Sequence, residues 1–272
     1  ESPKNRLMGD PHLKSMVARD GVNQAAALVI TRYETAVSLG VADRAIYLQG
    51  HATGSEPQVL ARPSLGQAAS MTQAYHNALA SAGMTADQIA AADLYSCFPI
   101  AVWAAMDALG IELGDPRPLT LTGGLPFFGG PGNNYSTHGI AEMVHWLRQQ
   151  PEPTTGIVGA NGGYLSKHAV GVYANIPVDF PAPAPEVSAE EAVAVVADPE
   201  SEGVIESYTF QRQADKSRAI VVGRQASDGR RWVGVADPDD ADLLAWFEAE
   251  DPLGARVEVV TGERNVVRRI AE

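Results

Sequence analysis

Residues 123–143 read GGLPFFGGPGNNYSTHGIAEM, and the fold is decided by how this stretch is read. Its six glycines and two prolines hold a non-helical loop. Ile140, Met143, Val144 and Leu147 then fall at spacings of three and four, the stripe of a helix that buries one face. The loop thus ends at a helix start, and His138 is expected at or near an exposed helix N-terminus, beside backbone N–H groups that have no partner within the helix. A neutral imidazole there can activate a thiol or polarise a carbonyl. The plain alternative is a histidine that caps the loop.

Two further loops stand out on either side. Upstream, Asp93-Leu94-Tyr95-Ser96-Cys97-Phe98-Pro99 reads as a strand end turning sharply into a helix, the place where α/β proteins put reacting groups. Cys97 is the single cysteine, so it can neither form an internal disulfide nor complete a cysteine-rich zinc site, and any role it has is that of a thiol. Cysteine is also among the residues most often buried as inert packing. Downstream, Gly159-Ala160-Asn161-Gly162-Gly163-Tyr164 reads as a glycine-rich turn after the apolar Ile157-Val158, where unhindered backbone donors can face an oxyanion.

Around these loops strands and helices alternate. Ala25–Thr31 reads as a strand buried on both faces, followed by a helix from Tyr33 to Leu39 that Gly40 stops. A strand over Ala45–Gln49, a helix over Ser70–Ala82 ended by Gly83, an apolar segment over Ala92–Leu94 and a helix over Ile100–Leu109 ended by Gly110 complete an α/β layered sheet. Residues 1–43 offer one strand and one helix, too little to cover a buried sheet, so something beyond them must complete it. The proline-rich 177–185, PVDFPAPAP, is an extended linker. Beyond it, short strands are predicted over 204–211, 219–224, 231–235, 256–261 and 266–270. A hairpin turn at Ser227-Asp228-Gly229 and a helix over Leu243–Glu248 go with them, and together they make a small β-barrel.

Composition removes whole classes of function. The 272 residues are 45% hydrophobic and 19% charged, enough for one or two domains with a real core. With 20 basic and 33 acidic side chains the net charge is -13, and residues 186–272 alone hold 19 acidic against 10 basic groups. Such a chain repels a phosphate backbone, so nucleic acid is not expected as a partner. No apolar run is long enough to span a membrane and no secretory signal opens the chain, which points to the cytoplasm. Glu1 precedes the first methionine, Met8, so a longer protein is expected. His12, His51, His76, His145 and His168 share no metal-ligand spacing and read as surface or packing residues, so no metal is expected.

Taken together, the three loops resemble the C-terminal half of the thiolase superfamily. In that family two similar halves pack into a five-layer αβαβα sandwich around a coenzyme A thioester site. The resemblance makes residues 133–138 the loop that bears the catalytic histidine, His138, with Gly139 where the family has proline. It makes Asp93–Phe98 similar to the family's Asn-Glu-Ala-Phe loop, with Tyr95 at the Asn position, and Asn161-Gly162-Gly163 similar to the Cys-x-Gly loop, with Asn161 in place of the acid/base cysteine. Sterol-carrier-type thiolases carry that cysteine instead in a His-Asp-Cys-Phe loop, whose last two residues Cys97-Phe98 match. The extra domain after the linker is closest to the type-1 thiolase-like proteins. The implied division is residues 1–43 as the end of the loop region and of the N-terminal half, 44–176 as the C-terminal thiolase domain, 177–185 as linker, and 186–272 as an oligonucleotide-type barrel.

The resemblance implies an acyltransferase of fatty acid or sterol degradation, performing thiolysis or Claisen condensation on a coenzyme A thioester, with no covalently bound cofactor. His138 would activate the nucleophile, Cys97 would move the α-proton, Tyr95 would stand at the oxyanion hole and the Gly163 amide would help bind the oxyanion. No residue of this chain matches the family's acylated cysteine. An N-terminal half carrying it, as a separate chain or cleaved segment, is therefore the expected partner, with a dimer formed through it. Retro-aldol cleavage of a β-hydroxyacyl-CoA by Tyr95, Tyr135 or Tyr164, and binding of acyl-CoA or a protein without turnover, are the competing functions.

Overall fold

A computed structural model describes residues 2, 4–182, 184, 186–188, 192–212 and 217–270. In chain order the elements begin with β1 (Leu7–Gly9), β2 (His12–Leu13), α1 (Tyr33–Ser38), β3 (Tyr47–Ser55), α2 (Ala69–Ala82) and β4 (Ala91–Asp93). They continue with α3 (Pro99–Leu109), α4 (Tyr135–Leu147), β5 (Thr155–Gly162), β6 (Lys167–Ala174) and β7 (Val187–Ser188). The last are β8 (Glu202–Arg212), β9 (Ser217–Gln225), β10 (Arg231–Ala236), α5 (Ala241–Ala249), β11 (Arg256–Val260) and β12 (Val266–Arg269). They fall into two compact units, residues 16–56 with 67–189, and residues 1–15 with 57–66 and 190–272.

The first unit is a mixed five-stranded sheet in the order β4-β5-β6-β3-β7, with β4 parallel to β5 and the β5-β6-β3 run antiparallel. Neighbouring residues of a strand point to opposite faces. Ile157 and Val172 accordingly join Met71, Tyr75, Leu79 and Met106 on the α2–α3 side, while Val158 joins Met143 and Leu147 on the α4 side. The expected sheet between helices is therefore present. Helices α2 and α3 both end on glycines in the left-handed region, Gly83 at φ 64° and Gly110 at φ 62°.

Strand β3 runs six residues past the Gln49 at which its predicted span stopped. The cause is glycine used for closeness rather than for turning. A Cβ at Gly54 would stand 2.7 Å from the Ser70 carbonyl, and one at Gly50 would fall on the Ala78 carbonyl, so α2 can lie directly on the strand. The same reason corrects the expected turn at 159–164. Gly159 to Gly162 are strand, because a Cβ at Gly159 would fall on the Tyr75 hydroxyl, and the actual turn is the four residues 163–166 that join β5 to β6.

The predicted strand over Ala25–Thr31 is absent. Residues 17–32 are extended and unpaired, with Val22, Gln24, Ala26 and Leu28 half-buried on one side, while Val29 and Ile30 are 96% and 90% exposed. The apolar pattern is that of a strand, but the described residues offer it no neighbouring strand, and a ladder needs one. The segment is instead held by single backbone bonds: Ala18 N–H to the Cys97 carbonyl at 2.9 Å, and Gly130 N–H to the Arg19 carbonyl at 2.7 Å.

In the second unit β8, β9, β10, β12 and β11 close into a barrel, every pair antiparallel except β10 with β12. Its five strands and helix lie where the alternation of apolar residues predicts them. Trp232 fills the interior against Gly203 and Gly223, and Leu243 and Phe247 of α5 join the same core. Asp240 caps α5 by accepting from the Leu243 N–H at 2.8 Å. Asp228 shapes the β9–β10 turn by accepting from the Arg230 N–H and the Gln225 amide, both at 2.9 Å. Residues 57–66 are bound into this unit by Arg231, which donates to the Leu60 and Arg62 carbonyls at 2.6 Å. Of the predicted linker, Pro183 and Pro185 lie outside the described residues. Pro181 is buried and Ala184 packs on the sheet unit's core.

No helix among the described residues is long and apolar enough to cross a membrane. None of their His, Cys, Asp and Glu side chains gather in a group of three that could hold a metal ion.

Candidate functional site

Strands β4 and β5 are parallel, so their C-terminal ends lie at one end of the sheet, with Asp93 opposite Val158. The loop Leu94–Phe98 leaves β4 there, and the β5–β6 turn leaves β5 there. The start of α4 seals the same end, because Gly139 has no side chain: a Cβ there would stand 2.7 Å from Asp93 Oδ1 and 3.5 Å from Val158. Topology therefore brings the three loops picked out in the sequence to one place.

The loops are tied to one another by short bonds. Ser96 Oγ accepts from the Leu125 N–H at 3.0 Å, and Leu94 N–H donates to the Leu119 carbonyl at 2.9 Å. Asp93 is buried and takes the Thr122 N–H at 3.0 Å and the Thr122 hydroxyl at 3.1 Å on Oδ2. Burial pushes its carboxyl above the ordinary range, opposed by the bonds from Thr122. Thr122 Oγ1 in turn lies 2.6 Å from the Tyr135 hydroxyl. Tyr135 meets Tyr95 edge-on at 5.4 Å and Phe128 at 6.1 Å, and Phe128 meets the His138 ring at 5.2 Å. An unbroken line of contacts thus runs from Asp93 to the histidine.

His138 is the fourth residue of α4 and only 8% exposed, which corrects the expectation of an exposed helix start. The 3-10 turn Gly132–Asn134 precedes the helix and places Asn134 one turn back, with its amide 3.4 Å from His138 Nε2. Cys97 is half-buried just before the first turn of α3, and burial raises its thiol above the ordinary value against the pull of the Phe98 and Cys97 N–H groups. Burial, and next the neighbouring Cys97, raise the Tyr95 phenol as well. Both groups therefore stand protonated at neutral pH, as proton donors.

Residues 183–264 match the family described as the thiolase-like protein type 1 additional C-terminal domain. A solved crystal structure, that of a monomeric SCP2-thiolase-like protein type 1 from Mycobacterium smegmatis, is similar over 99% of this chain at 40% identity with a TM-score of 0.90. The chain belongs to the thiolase-like proteins of type 1. It spans 61% of the length of that solved protein. No curated protein matches it.

In this thiolase-like chain Cys97 and Tyr95 share one loop, and Tyr95 connects to His138 through Tyr135 and Phe128. Asn161 and Gly163 lie on the β5–β6 hairpin at the same end of the sheet. Gly163 takes φ 61° at the turn, and the Asn161 amide is engaged by His168 Nδ1 at 2.9 Å. Of the tyrosines weighed for proton transfer, Tyr135 has its hydroxyl committed to Thr122, Tyr164 is exposed on the hairpin, and Tyr95 remains.

Sequence reasoning passed over Asp93, Thr122, Phe128 and His168 as members of this cluster. An acidic residue closing the apolar strand Ala91–Asp93 was a readable sign for the first. The pairings of the others, with Asp93, Tyr135, His138 and Asn161, join residues between 7 and 29 positions apart, by no regular spacing, and nothing local announces them.

Proposed function

We propose that this chain is the C-terminal part of a thiolase-like acyltransferase acting on coenzyme A thioesters. Its acylated cysteine is supplied by an N-terminal half beyond these residues. One observation supports the reading above others: Cys97, protonated through burial, and His138, set inside α4, are carried by loops that share one end of the sheet.

In thiolysis of a 3-ketoacyl-CoA the N-terminal thiol loses its proton to His138 and its sulfur attacks the keto carbon. The Cα–Cβ bond breaks, and the electron pair passes to the α-carbon of the departing acetyl-CoA, which Cys97 protonates. Thiolate of free coenzyme A then takes the acyl group from the enzyme sulfur. The Gly163 amide and the Tyr95 hydroxyl are the donors assigned to the oxyanions, contacts of a kind whose loss typically costs about 3–4 kcal/mol of barrier. Condensation is the same sequence reversed.

Val22 and Gln24 face this chain's own loop, where Gln24 donates to the Phe128 carbonyl at 2.8 Å, so the exposed Ala25, Ala27, Val29, Ile30, Tyr33, Val37 and Leu39 are assigned to the N-terminal half. The division at residues 43/44, 176/177 and 185/186 belongs to the same reading. The solved relative is monomeric, which favours one such half per chain over a dimer. The setting assigned is cytoplasmic fatty acid or sterol degradation.

The test is deuterium exchange at the α-carbon of a thioester by the chain joined to an N-terminal half. Exchange that survives Cys97→Ala in the folded protein rejects the assignment. A second reading is retro-aldol cleavage of a β-hydroxyacyl-CoA, for which Tyr95 would have to take the hydroxyl proton, and the burial that keeps its phenol protonated weighs against that role. A panel of 3-ketoacyl and 3-hydroxyacyl thioesters separates the two, and binding with neither reaction supports a non-catalytic acyl-CoA binder.

A further inference from the structure

Asp93 does not touch His138, and the reaction above makes no use of it, yet it is where three parts of the site meet. Its Oδ2 takes both hydrogen bonds from Thr122, at 3.0 and 3.1 Å. Thr122 Oγ1 also lies 2.6 Å from the Tyr135 hydroxyl, where either oxygen can donate, and it receives the Gly124 N–H at 3.2 Å. Tyr135, Thr122 and Asp93 therefore form one hydrogen-bonded cluster. On its other side Asp93 Oδ1 lies in the hollow left by Gly139, the residue directly after His138.

A mere structural anchor at the end of β4 would need neither feature. An apolar side chain would fill the space, and burying a carboxyl costs free energy unless its partners recover it. Here the partners are spent on holding Tyr135, whose ring lies edge-on to both Tyr95 and Phe128, and Phe128 lies against the imidazole. We infer that Asp93 is a positioning residue: through Thr122 and Tyr135 on one side and the Gly139 backbone on the other, it fixes the orientation of the His138 ring and of the Tyr95 ring that flanks Cys97. The inference rests on the thiolase-like reading of His138, and its test reads the ring itself, so that the two can fail separately.

The measurement is the histidine ring NMR spectrum of the full chain, with the His138 cross-peak identified by its loss in His138→Gln. In Asp93→Leu, which removes the acceptor and presses on Gly139, the His138 cross-peak is expected to move or broaden while that of His12, in the other unit, stays. Asp93→Asn retains an acceptor for Thr122 and is expected to restore the His138 peak. If Asp93→Leu does not fold, Thr122→Val keeps the side-chain shape and removes only the hydroxyl link, and the same displacement is expected there. A His138 peak left in place in either folded variant overturns the inference. Displacement in Asp93→Leu with recovery in Asp93→Asn upholds it, even if the wild-type chain joined to an N-terminal half exchanges no α-proton; that last result would count against the catalytic reading alone.

Discussion

His168 Nδ1 lies 2.9 Å from Asn161 Oδ1, and His168 Nε2 lies 3.2 Å from the Leu165 carbonyl oxygen. Both partners are oxygens that only accept, so each contact is a hydrogen bond only when its ring nitrogen carries the hydrogen. With the hydrogen on Nδ1, at the shorter contact, the histidine donates to the Asn161 amide oxygen and fixes which way that amide faces. His168→Phe removes both contacts from a buried position and is expected to cost about 1–3 kcal/mol of stability, read from the midpoint of urea unfolding. Nitrogen NMR of the neutral ring should find its hydrogen on Nδ1, at the shorter contact, and a hydrogen on Nε2 instead would discredit the Asn161 bond.

Cys97 supplies a second test that needs no substrate. Its thiol stands above the ordinary value because burial penalises the thiolate. At any pH below that raised value the folded chain holds less thiolate than the unfolded chain, and the thiolate is the form that alkylates. Modification by iodoacetamide is therefore expected to be slower in the folded chain than in urea, with its pH midpoint displaced upward. By the sign of the same shift, the contribution of Cys97 to stability is complete below the thiol's unfolded pKa and fades as pH rises through its folded one. A midpoint at or below that of an unfolded cysteine would contradict the burial argument.

How much of this was legible in the sequence follows from the range over which each feature is encoded. The barrel could be read because each strand announces itself: in β11, Val257 and Val259 are buried while Arg256, Glu258 and Val260 face out. Helix ends at Gly83 and Gly110 are equally local. Strand β3 beyond Gln49 and the start of the β5–β6 hairpin were hidden because glycine serves there to admit α2, a demand set by another element. The loops of the site were found one at a time through Cys97, His138 and Asn161. Their ties were not, since Asp93 meets Thr122 across 29 residues. Residues 25–31 carry the pattern of a strand without a partner to pair with, so that pattern alone misled.

Gly159 provides a direct check on the packing argument. Its Cα lies under the Tyr75 hydroxyl, where an added methyl has no room. Gly159→Ala is expected to cost about 1–3 kcal/mol through overpacking, measured by thermal or urea unfolding. Tyr75→Phe deletes the atom that clashes most, so the double variant should recover part of the loss, and strictly additive losses would place the two residues out of contact.

Glu206 and Arg231 form the corresponding test in the barrel. Arg231 is 0% exposed and donates through Nε and Nη2 to the two oxygens of Glu206, both at 2.7 Å, while Arg224 reaches Glu206 Oε1 at 2.9 Å. Burial raises the Glu206 carboxyl, but the two guanidiniums outweigh it and hold it below its ordinary value of 4.5. A depressed folded value means that the stabilisation is present above the unfolded value and lost as pH falls through the folded one. The wild-type barrel is therefore expected to lose stability on acidification below about pH 4.5 more steeply than Glu206→Gln, as followed by the emission of the buried Trp232. Arg231→Met removes the charge, its bonds to Glu206 and the two that bind residues 57–66, and is expected to cost roughly 2–4 kcal/mol, with Arg224 remaining as the carboxylate's partner. Limited proteolysis should then cut first within 57–66, because that segment loses both carbonyl bonds to Arg231. Unchanged resistance there would mean that it is held by something other than this arginine.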